Sequence, residues 1–199
     1  MAATIDHYDQ NARSYFEQTR DVDMRPLYEP FLAWIPAGGA ILDAGCGSGR
    51  DTRAFQERGY RVTAIDAAPE LARLAEAHAG IAVHVQRLEE LNWRDRFDGI
   101  WACASLLHLP AGDLPDAFQR LGRALKPGGV LYASFKYGQG EHQREGRHFT
   151  DLDADRLAEI TAAAPELAIY QWWYTADRRA DRTAQGWLNA LLQRKETGA

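Results

Sequence analysis

The residues best placed to do chemistry begin with the run Ile41-Leu42-Asp43-Ala44-Gly45-Cys46-Gly47-Ser48-Gly49-Arg50-Asp51-Thr52. Its apolar start reads as a buried strand, its three glycines as a turn, and the pattern after Gly49 as an amphipathic helix. Glycines at alternate positions allow a small molecule to lie directly against the main chain, while the free N–H groups of the helix face the same point. Asp66 ends the next apolar run, Val62-Thr63-Ala64-Ile65. It follows the first glycine by about 20 residues, the spacing that sets a carboxylate on ribose hydroxyls. Strand, turn, helix, strand and acid together describe a nucleoside-binding βαβ unit.

The glycine spacing discriminates between nucleosides. A dinucleotide fingerprint needs a third glycine at position 50, where this chain has Arg50. The stretch instead resembles motif I of the class I S-adenosylmethionine (SAM) dependent methyltransferases, small-molecule type, of form hydrophobic-Leu-Asp-x-Gly-x-Gly-x-Gly. The resemblance implies a doubly wound α/β sheet of seven strands with the last one antiparallel. It also implies that Gly45, Gly47 and Gly49 seat the methionine part of SAM, that Asp43 orders their surroundings, and that Asp66 holds the ribose. Cys46, Ala67, Leu88 and Cys103 join the expected cofactor set, and S-adenosylhomocysteine (SAH) is the expected product.

Bulk properties fit a single domain. The chain has 199 residues, 46% hydrophobic and 26% charged, ordinary for a globular protein with a full core. A net charge of -5 argues against a nucleic-acid partner. Two cysteines without CxxC spacing suit a reducing, cytoplasmic setting. No run approaches a membrane span, and residues 1–13 lack the apolar core of a signal peptide. A monomer or homodimer without metal, nucleic-acid or membrane partners is expected.

Three parts are expected: residues 1–36 as an N-terminal helical lid, 37–136 as the SAM-binding core, and 137–199 as an acceptor-side loop, helix and terminal strand pair. Tyr8, Ala12, Tyr15 and Phe16 recur at helical spacing between Ile5 and Arg20, giving one amphipathic helix or two short ones. The pattern Tyr8-x-x-Asn11-Ala12-x-x-Tyr15 is similar to the helix that covers the cofactor in small-molecule methyltransferases. Tyr15 is therefore either a cofactor or acceptor contact or an aromatic packed on the domain. A further helix spans Arg25 to about Trp34. Helices also follow from Pro69 to about His78 and from Asp113 to Leu125. Strands are expected at Ile81–Val85, Phe97–Cys103 and Val130–Phe135.

The loop Gln86–Leu91 corresponds to the family's adenine-edge segment. Arg87 stands where many members have Asp, leaving that role to Glu89 or to backbone around Leu88. His108 resembles the histidine of the family's Leu-Leu-His segment. It is either a base that takes a proton from the acceptor or a structural histidine that shapes the pocket. Cys103 lacks the preceding proline of pyrimidine methyltransferases and reads as pocket lining. The Asn/Asp-Pro-Pro-Tyr/Phe segment of exocyclic-amine methyltransferases is absent after strand four.

Lys136 to Thr150 reads as a polar loop in which Lys136, His142, Arg144, Arg147 and His148 gather. Guanidinium groups there suit an anionic acceptor; the plain alternative is a solvated loop whose arginines meet Glu141 and Glu145. A helix over Asp151–Ala162, capped by Thr150 or Asp151, and a strand over Leu167–Thr175 follow. Trp187–Leu192 is a strand or a helix, and Arg178, Arg179 and Arg182 form a basic turn. The expected activity is methyl transfer from SAM to an O, N or S atom of a small acceptor. The alternatives are a SAM-binding module without catalysis and an NAD(P)-dependent oxidoreductase.

Overall fold

In the computed structural model, residues 2–179 and 184–196 are described. Among them a seven-stranded sheet runs in the order β3-β2-β1-β4-β5-β9-β8. Its strands are β1 (Ala40–Ala44), β2 (Arg61–Asp66), β3 (Val83–Val85), β4 (Phe97–Ala102), β5 (Leu125–Lys136), β8 (Leu167–Ala176) and β9 (Gly186–Arg194). Pairing is parallel from β3 across to β5, and β9 runs antiparallel to both β5 and β8. This is the doubly wound sheet with a reversed last strand that the motif implies. The helices are α1 (Ala2–Gln10), α2 (Ala12–Thr19), α3 (Arg25–Leu32), α4 (Arg50–Glu57), α5 (Pro69–Ala79), α6 (Leu114–Ala124) and α7 (Ala154–Thr161).

Both faces of the central strands are largely buried, so their sequences are mostly apolar, with Asp43 in β1 and Asp98 in β4 as charged exceptions. Alternation along each strand divides the core in two. Leu42, Ile100, Leu131 and Ala133 face one cluster with Phe118 and Leu121 of α6 and Leu157 of α7. Ile41, Trp101, Val130 and Tyr132 face a second cluster with Leu27 and Phe31 of α3 and Phe55 of α4. Trp101 lies flat on Tyr132, their centroids 3.8 Å apart and their planes inclined by 11°. The Lys126–Gly129 turn interrupts β5 between its pairings to Phe97 and Gly99. Lys126 Nζ and the backbone N–H of Ala40 both donate to Asp98, tying that turn to β1.

Several boundaries differ from expectation. Residues 136–150 are not a loop: β6 (Gly140–Arg144) and β7 (Arg147–Asp151) form an antiparallel hairpin outside the main sheet. β6 is exposed at every position, so it has no apolar alternation by which to be recognised. α7 is capped by Asp153, whose carboxylate accepts from the N–H of Arg156, rather than by Thr150 or Asp151. The hydroxyl of Thr150 is already committed to the carbonyl of Leu109. The third strand is shorter than expected, and 186–194 is strand rather than helix. Arg182 lies outside the described residues.

Candidate functional site

Two hollows open at the carboxyl edge of the parallel strands, where ligands of open α/β sheets bind. The first is lined by Gly45 and Gly47 after β1, Asp66, Ala67 and Ala68 after β2, Gln86 to Leu88 after β3, and Thr4, Ile5, Tyr8 and Tyr15 of α1 and α2. The second, about 1020 Å³ counted to its open mouth, lies beside the ends of β5 and β8, the start of β9 and the β6–β7 hairpin. Tyr8, Tyr15, Cys103, Ala104 and His108 line both. The two hollows therefore adjoin at these five residues.

The first hollow is shaped by backbone. Gly45 and Gly47 have φ of +84° and +57°, angles that suit glycine. A Cβ at Gly45 would come within 2.5 Å of Ser105 Cβ, and one at Gly47 within 3.2 Å of Tyr15 Cε1. Asp66 fixes the turn by accepting from the N–H of Gly47 at 2.9 Å and of Ala68 at 2.9 Å. Burial pushes the Asp66 carboxyl up to about 6, against those backbone donors. Ser105 Oγ is buried without a hydrogen-bond partner, so the cradle contains a polar atom for a ligand to satisfy.

Three residues of the expected cofactor set, Gly49, Cys46 and Asp43, line neither hollow. Gly49 lines neither hollow; its missing Cβ would lie 2.9 Å from the carbonyl oxygen of Ala75, so it lets α5 pack on the turn. Cys46 lies in an apolar cluster with Ala64, Ala72, Ala75 and Val83, and burial raises its thiol well above the ordinary range. Asp43 is buried behind the turn and accepts from Thr52 Oγ1 at 2.6 Å. Burial, reinforced by negative Asp51, pushes its carboxyl up to about 8.

Asp51 and Arg50 build a second, buried support. Arg50 makes a two-point contact to Asp51, at 2.6 and 2.8 Å. Asp51 also accepts from Tyr28 Oη and Trp101 Nε1. Burial opposes its charge, but Arg50 and these donors outweigh burial and hold Asp51 below the usual carboxylate range. Arg50 thus fills the place of a third dinucleotide glycine with a locked guanidinium on the wall of the second hollow.

His108 sits at the shared wall with both nitrogens engaged. Nδ1 is 2.7 Å from the carbonyl oxygen of His148, which can only accept, so Nδ1 carries the proton. Nε2 then accepts from Tyr8 Oη at 2.8 Å. Burial lowers the imidazole to about 4; it is neutral at physiological pH. The N–H of His148 donates to Thr4 Oγ1 on α1, which ties helix, hairpin and histidine together. Ala104, between Cys103 and Ser105, has φ of +54° and donates its N–H to Ser134 Oγ. Such strain in a non-glycine residue gathers at functional sites. Cys103 is pushed up to about 12, chiefly by burial, and stays a thiol. Leu88 and Ala67 line the first hollow, as does Arg87, while Glu89 does not.

Residues 41–129 match the family described as Methyltransferase domain. Residues 41–129 thus carry a methyltransferase domain. It is 38% identical over 106 residues to a ubiquinone biosynthesis O-methyltransferase of Xanthomonas axonopodis pv. citri, covering 50% of this chain and 44% of that relative. A malonyl-(acyl-carrier protein) O-methyltransferase of Salmonella typhimurium is 38% identical over 138 residues, 67% of this chain and 53% of its own. The chain thus spans about half the length of these curated relatives. The crystal structure of Burkholderia thailandensis 1,6-didemethyltoxoflavin-N1-methyltransferase, with 1,6-didemethyltoxoflavin and SAH bound, superposes with TM-score 0.82. That pair shares 25% identity, covering 98% of this chain and 88% of the other.

The two hollows are also lined by residues to which the sequence alone gives no role. Tyr8 occupies the shared wall beside Tyr15, and Ser134 faces the second hollow along β5, on the same face as Lys136, already expected on the acceptor side. Val130, Tyr132, Ser134 and Lys136 alternate on one face, so the period of that strand contained the signal. Asn189 and Trp187 of β9 complete the wall, and no local pattern marks them. Among the described residues no group of three or more His, Cys, Asp or Glu could hold a metal ion, and no helix is long and apolar enough to cross a membrane.

Proposed function

We propose that this protein transfers a methyl group from SAM to a small acceptor, with SAM in the first hollow and the acceptor in the second. The observation that carries the reading is the wall shared by the two hollows, since methyl transfer requires donor and acceptor in line and in contact. When bound, SAM supplies a methyl carbon on a positively charged sulfur, an excellent leaving group. The protein's own tasks are to bind the two molecules, align them and orient the acceptor atom as it loses its proton.

Gly45 and Gly47 provide the close-approach surface, Asp66 accepts from ribose hydroxyls, and Ser105 Oγ gives a further polar contact. Asp43, Cys46 and Gly49 hold the turn in shape from behind. α1 and α2 serve as the lid, fastened through Thr4 to the hairpin and through Tyr8 to His108. Arg50, held by Asp51, stiffens the wall of the second hollow. The Nε2 of His108 is occupied and weakly basic, so this histidine acts by fixing the direction of the Tyr8 hydroxyl. The Tyr8 oxygen, its own proton committed to Nε2, accepts a hydrogen bond from the acceptor and so aims the reacting atom, and the proton the acceptor loses passes to water. The acceptor gains the methyl carbon and loses that proton, and the donor leaves as neutral SAH.

Titration calorimetry with SAM, SAH, NAD and NADP tests the cofactor half of the reading: binding of SAM and SAH alone is expected, and preferential binding of a nicotinamide cofactor would refute it. Transfer of label from methyl-labelled SAM to an acceptor tests the catalytic half, and separates an enzyme from a SAM-binding module.

A further inference from the structure

The second hollow has an excess of positive charge that its own carboxylates leave uncompensated. Lys136, at the end of β5, has its Nζ 3.6 Å from the centroid of Phe149. Among the described residues no carboxylate lies within ion-pair distance of it. Asp151 is the carboxylate that acts on it most, yet Asp151 stands 3.6 Å from His142 Nδ1 instead. Burial and the cations of Arg144, Arg147 and Arg179 together lower the Lys136 ammonium from its ordinary value, against the pull of Asp151.

Arg147 reaches the same place from β7. Its guanidinium carbon lies 5.4 Å from the Phe149 centroid and 5.7 Å from that of Tyr8. One of its terminal nitrogens meets Glu145 at 2.6 Å, while Nε is buried without a hydrogen-bond partner. Arg144 shares the same Glu145 at 3.8 Å. Lys136, Arg144 and Arg147 thus line the hollow beside one carboxylate, Glu145; Asp151 is not part of its lining, and its other lining carboxylate, Asp177, is held by Arg179. A buried N–H without an acceptor is a cost that a ligand can remove. Val22, Met24, Leu27 and Trp187 make the rest of the wall apolar.

Resting on the methyl-transfer reading above, we propose that the acceptor is a small organic acid with an apolar body, its carboxylate anchored between Lys136 and Arg147. The two cations offer charge-assisted hydrogen bonds, and both lie about one ring from the shared wall. The atom that receives the methyl group therefore sits only a few bonds from the carboxylate.

Matched acids and amides test this. Salicylate and anthranilate, with salicylamide and anthranilamide, are titrated by calorimetry into the SAH complex of the wild-type chain and of Lys136→Gln, and both pairs are assayed for methylation with labelled SAM. At least tenfold tighter binding of the acids is expected in the wild type, narrowing to about twofold in the variant, with SAH affinity unchanged. The proposal is overturned if acids bind no more tightly than amides, including if neither binds. It is also overturned if the preference survives Lys136→Gln, as it would if Lys136 served only to balance Asp151. SAH titrated first keeps the two readings apart: failure of SAH to bind overturns the methyl-transfer reading and this one with it, whereas SAH binding without acid preference overturns this one alone.

Discussion

The two hollows are built from different material. The first is made by backbone: two left-handed glycines, the N–H groups of Gly47 and Ala68, and one carboxylate that organises them. The second is made by side chains from the N-terminal helices, the end of β5, the hairpin and the last two strands. A backbone cradle fixes one ligand shape and tolerates little change, because its atoms cannot be substituted independently. A side-chain chamber leaves its scaffold intact while its lining varies, so specificity is adjustable there. The shared wall is where the fixed and the adjustable parts meet.

That contrast is open to attack by substitution. Asp66→Ala should have the largest effect, since it removes the ribose acceptor and orphans two backbone donors. Loss of charge-assisted hydrogen bonds worth roughly 1.5–3 kcal/mol each implies a fall in SAM affinity of tenfold or more by calorimetry. Unchanged affinity would erase the distinction between the hollows. Gly47→Ala comes next. At φ of +57° a Cβ is strained by roughly 1–2 kcal/mol and Tyr15 must give way, so a lower melting temperature and weaker SAH binding are both expected. Lys136→Gln, by contrast, should leave SAH binding untouched.

Tyr8→Phe sits on the boundary and sharpens the account of His108. It leaves a buried Nε2 without a donor, a loss of about 1–3 kcal/mol in stability, and kcat should fall more than KM for SAM rises. No ionisation of His108 should appear in the rate profile between pH 5 and 8, because its imidazole titrates near 4; a limb that moved in His108→Asn would show that the histidine acts as a free base. The smallest effect is a pH dependence of binding. Asp66 titrates near 6 in the folded chain, so SAH affinity, measured by calorimetry across pH 5 to 8, should decline as pH falls through 6. Stability responds with the opposite sign. The folded value is raised above the unfolded one, so ionised Asp66 destabilises the ligand-free protein above pH 6, and protonation relieves this as pH falls toward the unfolded value.

The same contrast explains how much could be read from the chain alone. β1, the glycine turn, β2 and Asp66 lie within one short stretch, and each signals itself by residue type and spacing. Gly49 matched that motif yet acts by packing against Ala75 in α5, a contact made after the motif has ended. The second hollow depends on joins between distant segments: His148 reaches Thr4 across 144 residues, and His108 reaches Tyr8 across 100. No local pattern encodes such pairings. The hairpin has no local signal because β6 faces solvent throughout, and Thr150 does not cap α7 because its hydroxyl is engaged by the carbonyl of Leu109.

The division of labour between the hollows is tested most directly by a crystal structure of the protein grown with SAH. The account predicts SAH along Gly45 and Gly47, its ribose on the Asp66 carboxylate and its sulfur facing the wall of Tyr8, Tyr15, Cys103, Ala104 and His108. SAH found beside Lys136 and Arg147, or a first hollow left vacant at saturating SAH, would contradict it.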